Sequence, residues 1–235
     1  MTDTPQLALP LLSPAQAQKH VTVNEALSRL DGMVQLRLVS LTETVPPAVF
    51  AEGDCYAVPT GAVNAWAGAA GRIAIAANGG WDFVDPRDGF RAFVLDQGVE
   101  ALYDGAEWVA GGLTRTAARA GMAVASAETD LTLSAGPSAT TAPIIPERAL
   151  VFGVTGVVTA PITGATAWRV GVASDDARFG SGIGLATGAW VTGPANPIPY
   201  WSATALQVTA EGGDFTGGAV RLAVHYMVFT SPDAT

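Results

Sequence analysis

The stretch that decides the fold is "AVRLAVHYMVF", residues 219–229. Side chains alternate between the two faces of a β-strand. One face of the strand predicted here would be entirely apolar, formed by Val220, Leu222, Val224, Tyr226 and Val228. The other face would carry Arg221, Ala223, His225, Met227 and Phe229. A strand that is apolar on nearly both faces lies centrally in a β-sandwich or is buried between subunits.

The segments that precede this strand show a similar alternation of residue types. "RALVFGVTGVVTA", "TAWRVGVAS", "GIGLATGAWV" and "ALQVTA" alternate apolar with small or polar residues, and Gly, Pro and Asn separate them. A spacing near ten residues with such turn signals is typical of a β-sandwich or jelly roll. We therefore predict an antiparallel, jelly-roll-like sandwich over residues 147–235.

The N-terminal region opens with a helix signal. Ser13, Pro14 and Gln16 fit the N-cap, first and third positions of a helix, which we predict to run to about Ser40. Its apolar residues fall on an approximate heptad seam, formed by Val23, Leu27, Leu30, Val34 and Leu41. Packing on the helix's own domain and a short coiled coil both explain that seam.

After Glu52 the pattern changes to short strands with glycine turns between them, at 78–80, 88–89, 97–98 and 104–105. Such turns are typical of successive antiparallel hairpins. The fold prediction is thus a mainly β chain. Residues 1–110 form a helix plus a small antiparallel sheet, the Pro/Ser/Thr-containing residues 111–146 form a linker, and residues 147–235 form the sandwich.

Composition excludes several classes of function. The net charge is -9 and Lys19 is the only lysine, so no basic stripe is available for a nucleic-acid backbone. Cys55 is the single cysteine, and His20 and His225 lie far apart in sequence, so we expect no disulfide, metal or cofactor. The N-terminus lacks the basic region of a signal peptide, and Gly and Pro interrupt the uncharged residues 179–210, so we expect neither secretion nor membrane insertion.

Two stretches resemble known proteins. "LPLLSPAQAQKHVTVNEALSRLDGMVQL" (residues 9–36), followed by "AEGDCYAV", "WAGAAGRIA" and "GWDFVDPRDGFRAFV", resembles a conserved domain of unknown function from alphaproteobacterial prophages and gene transfer agents. "ITGATAWRVGVASDDARFGSGIGLATGAW" and "LQVTAEGGDFTGGAVRLAVHYMVF" resemble the C-terminal domain of phage fibre proteins. The first resemblance covers about 110 residues, and the second covers residues 147–235.

The resemblance implies a virion-type appendage, a tail fibre or head spike, assembled in the cytoplasm and displayed on the particle surface. The N-terminal domain would dock to the particle or to another appendage protein, through residues of the "PAQAQKH" and "NEAL" pieces: Gln16, Lys19, His20 and Asn24. The C-terminal domain would bind host surface polysaccharide. Uncharged β segments stay soluble when copies cover one another, which predicts that copies associate. The resemblance implies that they form a homotrimer.

The motif "DDARFGSGIG", residues 175–184, allows several interpretations. A phosphate loop would need a lysine and a following helix, and neither is present. Asp175 and Asp176 would point to opposite faces of a strand, whereas glycosidase carboxylates face each other. Ser181 lacks the spacing of a nucleophile elbow. We therefore interpret 174–176 as a turn, with Arg178 paired to Asp176 or to a neighbouring chain, and the glycines as places of close backbone approach.

A carbohydrate site needs an exposed aromatic ring beside hydrogen-bonding side chains. The candidates are Asp175, Asp176, Arg178, Trp190, Asn196, Tyr200 and Trp201. The alternative is that the aromatic residues belong to the core or to an interface. Three functions compete: a receptor-binding appendage, a purely structural adaptor, and a polysaccharide-degrading enzyme. We expect no catalytic residue, so the prediction is a binding protein and not an enzyme.

Overall fold

The computed structural model describes residues 3–13 and 19–234. The chain forms two compact units, Met1–Gly112 (unit 1) and Leu113–Thr235 (unit 2). Strands account for 52% of the residues and helix for 7%, which confirms a mainly β fold with one N-terminal helix.

Unit 1 combines one helix with one sheet. The helix is α1 (Lys19–Met33). The strands are β1 (Arg37–Leu38), β2 (Cys55–Ala57), β3 (Ile73–Ala77), β4 (Gly80–Val84), β5 (Arg91–Val94), β6 (Val99–Tyr103) and β7 (Trp108–Ala110). They form a seven-stranded sheet in the order β4-β3-β2-β1-β5-β6-β7.

The predicted hairpins of unit 1 are confirmed. β3 pairs with β4, β5 with β6, and β6 with β7, all antiparallel. Asn78 and Gly79, between β3 and β4, both have positive φ, as a two-residue hairpin turn of the tightest type requires. The middle of the sheet differs from the prediction, because the short strand β1 pairs parallel with both β2 and β5. The sheet is therefore mixed.

Helix α1 ends before the predicted Ser40, and residues 14–18 of the predicted helix lie outside the described residues. It ends at Met33, and Gln35 adopts a left-handed conformation with φ 54°, which stops a right-handed helix. Leu36 and Leu38 beyond it are buried in the unit's core. A glycine inside the helix allows close packing on the sheet, since a Cβ at Gly32 would lie 2.9 Å from Ile75 Cδ1.

The heptad seam is only partly used by unit 1. Leu27 is half-buried and Leu41 packs against the core, but Val23, Leu30 and Val34 remain exposed. Packing on the unit therefore does not account for the whole seam.

Unit 2 consists of two sheets packed face to face. The strands are β8 (Gly112–Arg115), β9 (Gly121–Thr132), β10 (Ser138–Ile145), β11 (Ala149–Thr163), β12 (Ala167–Val172), β13 (Asp175–Ile183), β14 (Trp190–Tyr200), β15 (Thr204–Glu211) and β16 (Gly217–Thr230). One sheet has the order β14-β11-β16-β9-β8 and the other β10-β15-β12-β13. One shared hydrophobic core draws on strands of both sheets, so this unit is a sandwich.

Strand β16 confirms the predicted alternation. Val220, Leu222 and Val224 are fully buried in the sandwich core, whereas Arg221 and Phe229 are exposed. The strand lies centrally in its sheet, between β11 and β9. The predicted linker, residues 111–146, is instead largely strand, because β8, β9 and β10 all fall within it and join the two sheets of the sandwich.

Candidate functional site

The "DDARFGSGIG" motif begins at a tight hairpin and then runs as a strand. Val172 pairs with Asp175, so the turn is made by residues 173 and 174 and not by the predicted 174–176. A Cβ at Gly171 would collide with the backbone of Asp175 and Asp176, so only glycine permits this hairpin. Asp175 and Arg178 are thereby fixed in the first turn-proximal residues of β13.

Arg178 pairs with an acid on its own strand. Its Nη1 lies 3.6 Å from Asp175 Oδ2, so within the chain its partner is Asp175 and not the expected Asp176. The Arg178 side chain is mostly buried, while that of Asp175 is half exposed. This pair forms the charged part of a corner that we call the Arg178 corner: Asp175, Arg178 and Tyr200.

Tyr200 completes the corner from the last position of β14. It is only 8% exposed. Burial raises the pKa of its hydroxyl, the nearby positive charge of Arg178 opposes that rise, and Asp175 adds to it. The Tyr200 hydroxyl and Arg178 Nε are both buried without a hydrogen-bond partner among the described residues. Buried polar atoms normally have a partner, so the corner holds unused hydrogen-bonding capacity.

Two glycines bring β13 and β14 together, although the strands belong to different sheets. A Cβ at Gly193 would collide with the Phe179 carbonyl, and a Cβ at Gly180 would lie 2.8 Å from Val191 Cγ2. The predicted close approach of the motif's glycines to another backbone is not what Gly180 and Gly182 show. Gly180 makes room for the Val191 side chain, and Gly182 has open space around it. The contact of the two edge strands is what places Tyr200 near Arg178.

The other predicted carbohydrate-binding residues do not gather at one place. Asp176 is bound by Arg169, whose Nε and Nη2 lie 2.9 and 2.8 Å from its Oδ2. Trp190 begins β14 and Tyr200 ends it, which separates them by roughly 30 Å of extended strand. Asn196 is exposed between them. Trp201, 76% exposed, directly follows Tyr200.

Sequence reasoning missed Arg169, the partner of Asp176. The signal was present, because "WRVGVASDD" places Arg169 on the strand that forms a hairpin with Asp176. It also missed the hydrogen bonds of His225, whose Nδ1 lies 2.7 Å from Ser126 Oγ and whose Nε2 lies 2.9 Å from Thr155 Oγ1. Those partners come from separate strands, 99 and 70 residues away, and no local pattern indicates them.

The predicted docking residues lie at the start of unit 1. Gln16 lies outside the described residues, and Lys19 and His20 begin the backbone of α1. The Asn24 amide is engaged within the chain, accepting from Leu12 N at 2.9 Å and donating to Leu12 O at 3.0 Å. Asn24 thus holds the N-terminal segment, and the docking role of these residues stays a prediction.

Unit 1 contains a cavity of about 590 Å³ beside that segment, lined among others by Asn24, Asp31 and Glu52. Its carboxylates serve mainly to hold loops. Buried Asp31 accepts hydrogen bonds from Thr4 Oγ1, Gln6 N and Leu7 N at 2.6–2.9 Å. Glu52 accepts from Asn78 N and Gly79 N, both at 2.8 Å. These contacts identify a structural role for the cavity's acids.

Cys55 behaves as the predicted small hydrophobe. It is buried in the unit 1 core, and burial raises the pKa of its thiol to about 12, so the nucleophilic thiolate is not formed at neutral pH. Within residues 3–13 and 19–234, no group of three His, Cys, Asp or Glu side chains could hold a metal ion. In the same part of the chain, no helix has the length and apolar character to cross a membrane.

Comparisons with known proteins support the first resemblance over most of its length. Residues 23–109 match the model of a protein family of unknown function, DUF2793. No curated protein matches the chain. A chain of the cyanophage Pam1 capsid asymmetric unit is similar to part of it, with 21% identity and a TM-score of 0.35, over 50% of this chain and 86% of that one. At this TM-score the two folds are not shown to be the same.

Proposed function

We propose that this chain is a structural appendage of a phage-like particle, a tail fibre or head spike displayed on the particle surface. Unit 1 attaches it to the particle, and unit 2 binds bacterial surface polysaccharide. Two observations support a role in a phage-like particle. They are the match to DUF2793 and the resemblance of the N-terminal sequence to prophage and gene-transfer-agent domains. Two units with separate cores are suited to two separate contacts.

Exposed apolar residues of α1 support the attachment role of unit 1. Val23 and Leu30 of α1, and Val34 directly after it, are large, apolar and exposed at near-heptad spacing. A helix that shows such a seam to solvent is suited to packing against another helix. The partner we propose is a helical segment of another appendage or particle protein.

The observation that carries polysaccharide binding is the Arg178 corner. A sugar offers hydroxyl groups that both donate and accept hydrogen bonds. The half-exposed Asp175 carboxylate accepts such bonds, and the exposed part of the Arg178 guanidinium beside it donates them. Trp201, exposed next to Tyr200, offers an aromatic face for the apolar side of a sugar ring.

Asp175→Asn in the full-length chain tests the binding proposal. The substitution keeps the size of the side chain and removes the charge that holds Arg178, so we expect affinity for a responsive polysaccharide to fall about tenfold. Binding is measured on a glycan array and on purified bacterial capsular polysaccharides.

Asp130→Asn is the matched control, because Asp130 is also an arginine-paired aspartate of unit 2 but lies on the outside of the five-stranded sheet. It should leave affinity unchanged. Equal losses in both variants, or no binding of the unmodified chain to any glycan, would contradict the proposed site.

A structural adaptor that joins other appendage proteins is the second candidate. It is favoured by the exposed apolar side chains on the outer face of the five-stranded sheet, including Phe152 and Phe229. An adaptor would bind no glycan while still assembling with other particle proteins, so the glycan experiment separates the two functions.

A further inference from the structure

The outer face of the five-stranded sheet carries charged side chains at one end of its strands and apolar side chains at the other. At one end, Arg221 binds Asp130 through Nε and Nη2 at 2.7 and 2.9 Å, and Glu128 lies 3.6 Å away. His225, hydrogen-bonded to the hydroxyls of Ser126 and Thr155, marks the middle. The charges at the first end are therefore paired within the chain, with two carboxylates around one arginine.

The other end of the face is apolar. The strand register places Leu150 opposite Met227, Met227 opposite Val124, and Phe229 opposite Met122. Together with the neighbouring Phe152 they form a surface that we call the apolar end: Met122, Val124, Leu150, Phe152, Met227 and Phe229. It contains no charged residue, and Phe229 is 59% exposed.

The size of the apolar end matches what a stable interface between two proteins needs. Fully exposed aromatic side chains offer about 150–250 Å² each, so the exposed parts of Met122, Val124, Phe152 and Phe229, which are 37–59% exposed, amount to roughly 300 Å². A standard interface buries about 800 Å² per partner, of which about 57% is apolar. One copy therefore supplies most of the apolar area that such an interface requires.

Charge indicates which partner fits this surface. The chain has a net charge of -9, so identical copies repel each other wherever acidic residues meet. The apolar end avoids that repulsion, because its six residues carry no charge and copies can meet there without bringing acidic residues together. A partner that binds through charges of opposite sign would find no charged residue among these six.

We propose that the apolar end is the surface through which copies of this chain associate. This deepens the proposed function, because it assigns the self-association expected of an appendage to named residues of β9, β11 and β16. The expected trimer would bring three apolar ends together around a common axis. The Arg178 corner contributes no residue to this surface.

Phe229→Glu tests the surface in the full-length chain. Sedimentation velocity should show an oligomer for the unmodified chain and a monomer for the variant, with association weakened at least about 100-fold because a buried interface cannot solvate the new charge. Phe229 is exposed near the end of β16, so the variant should keep the circular dichroism spectrum and thermal midpoint of the original.

Val49→Glu is the matched control, since Val49 is 90% exposed in unit 1 and its replacement introduces the same charge. It should leave the oligomer intact. The proposal would be overturned if the unmodified chain were a monomer, even one whose surface is covered by a different particle protein. It would also be overturned if the oligomer survived Phe229→Glu. Loss of glycan binding by Asp175→Asn with the oligomer retained bears only on the polysaccharide site, so the two proposals fail separately.

Discussion

Trp168→Ala should lower the free energy of unfolding of unit 2 by about 4 kcal/mol. Trp168 is fully buried in the sandwich core, and its indole Nε1 donates a hydrogen bond to Gly184 O at 2.9 Å. The substitution leaves a large cavity and also an acceptor without its donor. Denaturant titration followed by far-ultraviolet circular dichroism measures the loss, and hydrogen exchange in β16 assigns it to unit 2.

Trp190→Ala provides the control within the same unit. Trp190 is 70% exposed at the start of β14, so its removal should change stability by no more than about 0.5 kcal/mol. Equal destabilisation by the two substitutions would mean that Trp168 does not occupy the centre of the core.

Gly193→Ala should destabilise unit 2 by about 3 kcal/mol, at the upper end of what overpacking costs. The new methyl group would collide with the Phe179 carbonyl, a backbone atom that cannot rotate away as a side chain can. Relief requires β13 and β14 to separate, which would also move Tyr200 away from Arg178. The measurement is the same denaturant titration.

Gly184→Ala is the corresponding control for the glycine. A Cβ there would make an ordinary contact, 3.4 Å from Ala189 Cβ, so we expect a change within about 0.5 kcal/mol. If Gly193→Ala were equally harmless, the close approach of the two sheet edges would be disproved.

Local patterns in the sequence account for much of the fold. The alternation along residues 219–229 correctly predicts the core-facing side of β16, because a strand's faces depend only on its own residues. The turns of unit 1 are also predicted, since positions such as Asn78 and Gly79 require positive φ. Long-range pairing has no comparable signal. The composition of residues 111–146 indicates a linker, yet strand β9 within them pairs with β16, about 99 residues later in the chain.

Prolines explain why the candidate site was predicted only in part. Pro194, Pro197 and Pro199 interrupt the uncharged segment that contains the candidates Trp190 and Tyr200. The segment is β14, at the edge of its sheet, where a missing N–H does not interrupt the ladder. An extended edge strand necessarily separates its two ends. The nearness of Arg178 to Tyr200 depends on contact between two sheets, which the sequence does not encode locally.

The most direct test of the account is to locate the chain on a particle. Particles from the producing cells are imaged by electron cryomicroscopy with a gold-labelled tag on this chain. The label should lie on surface projections, with several copies in each projection. The projections should be missing from particles made without the chain. Particles that carry no label and keep every projection after deletion, with the chain recovered only as free protein, would contradict it.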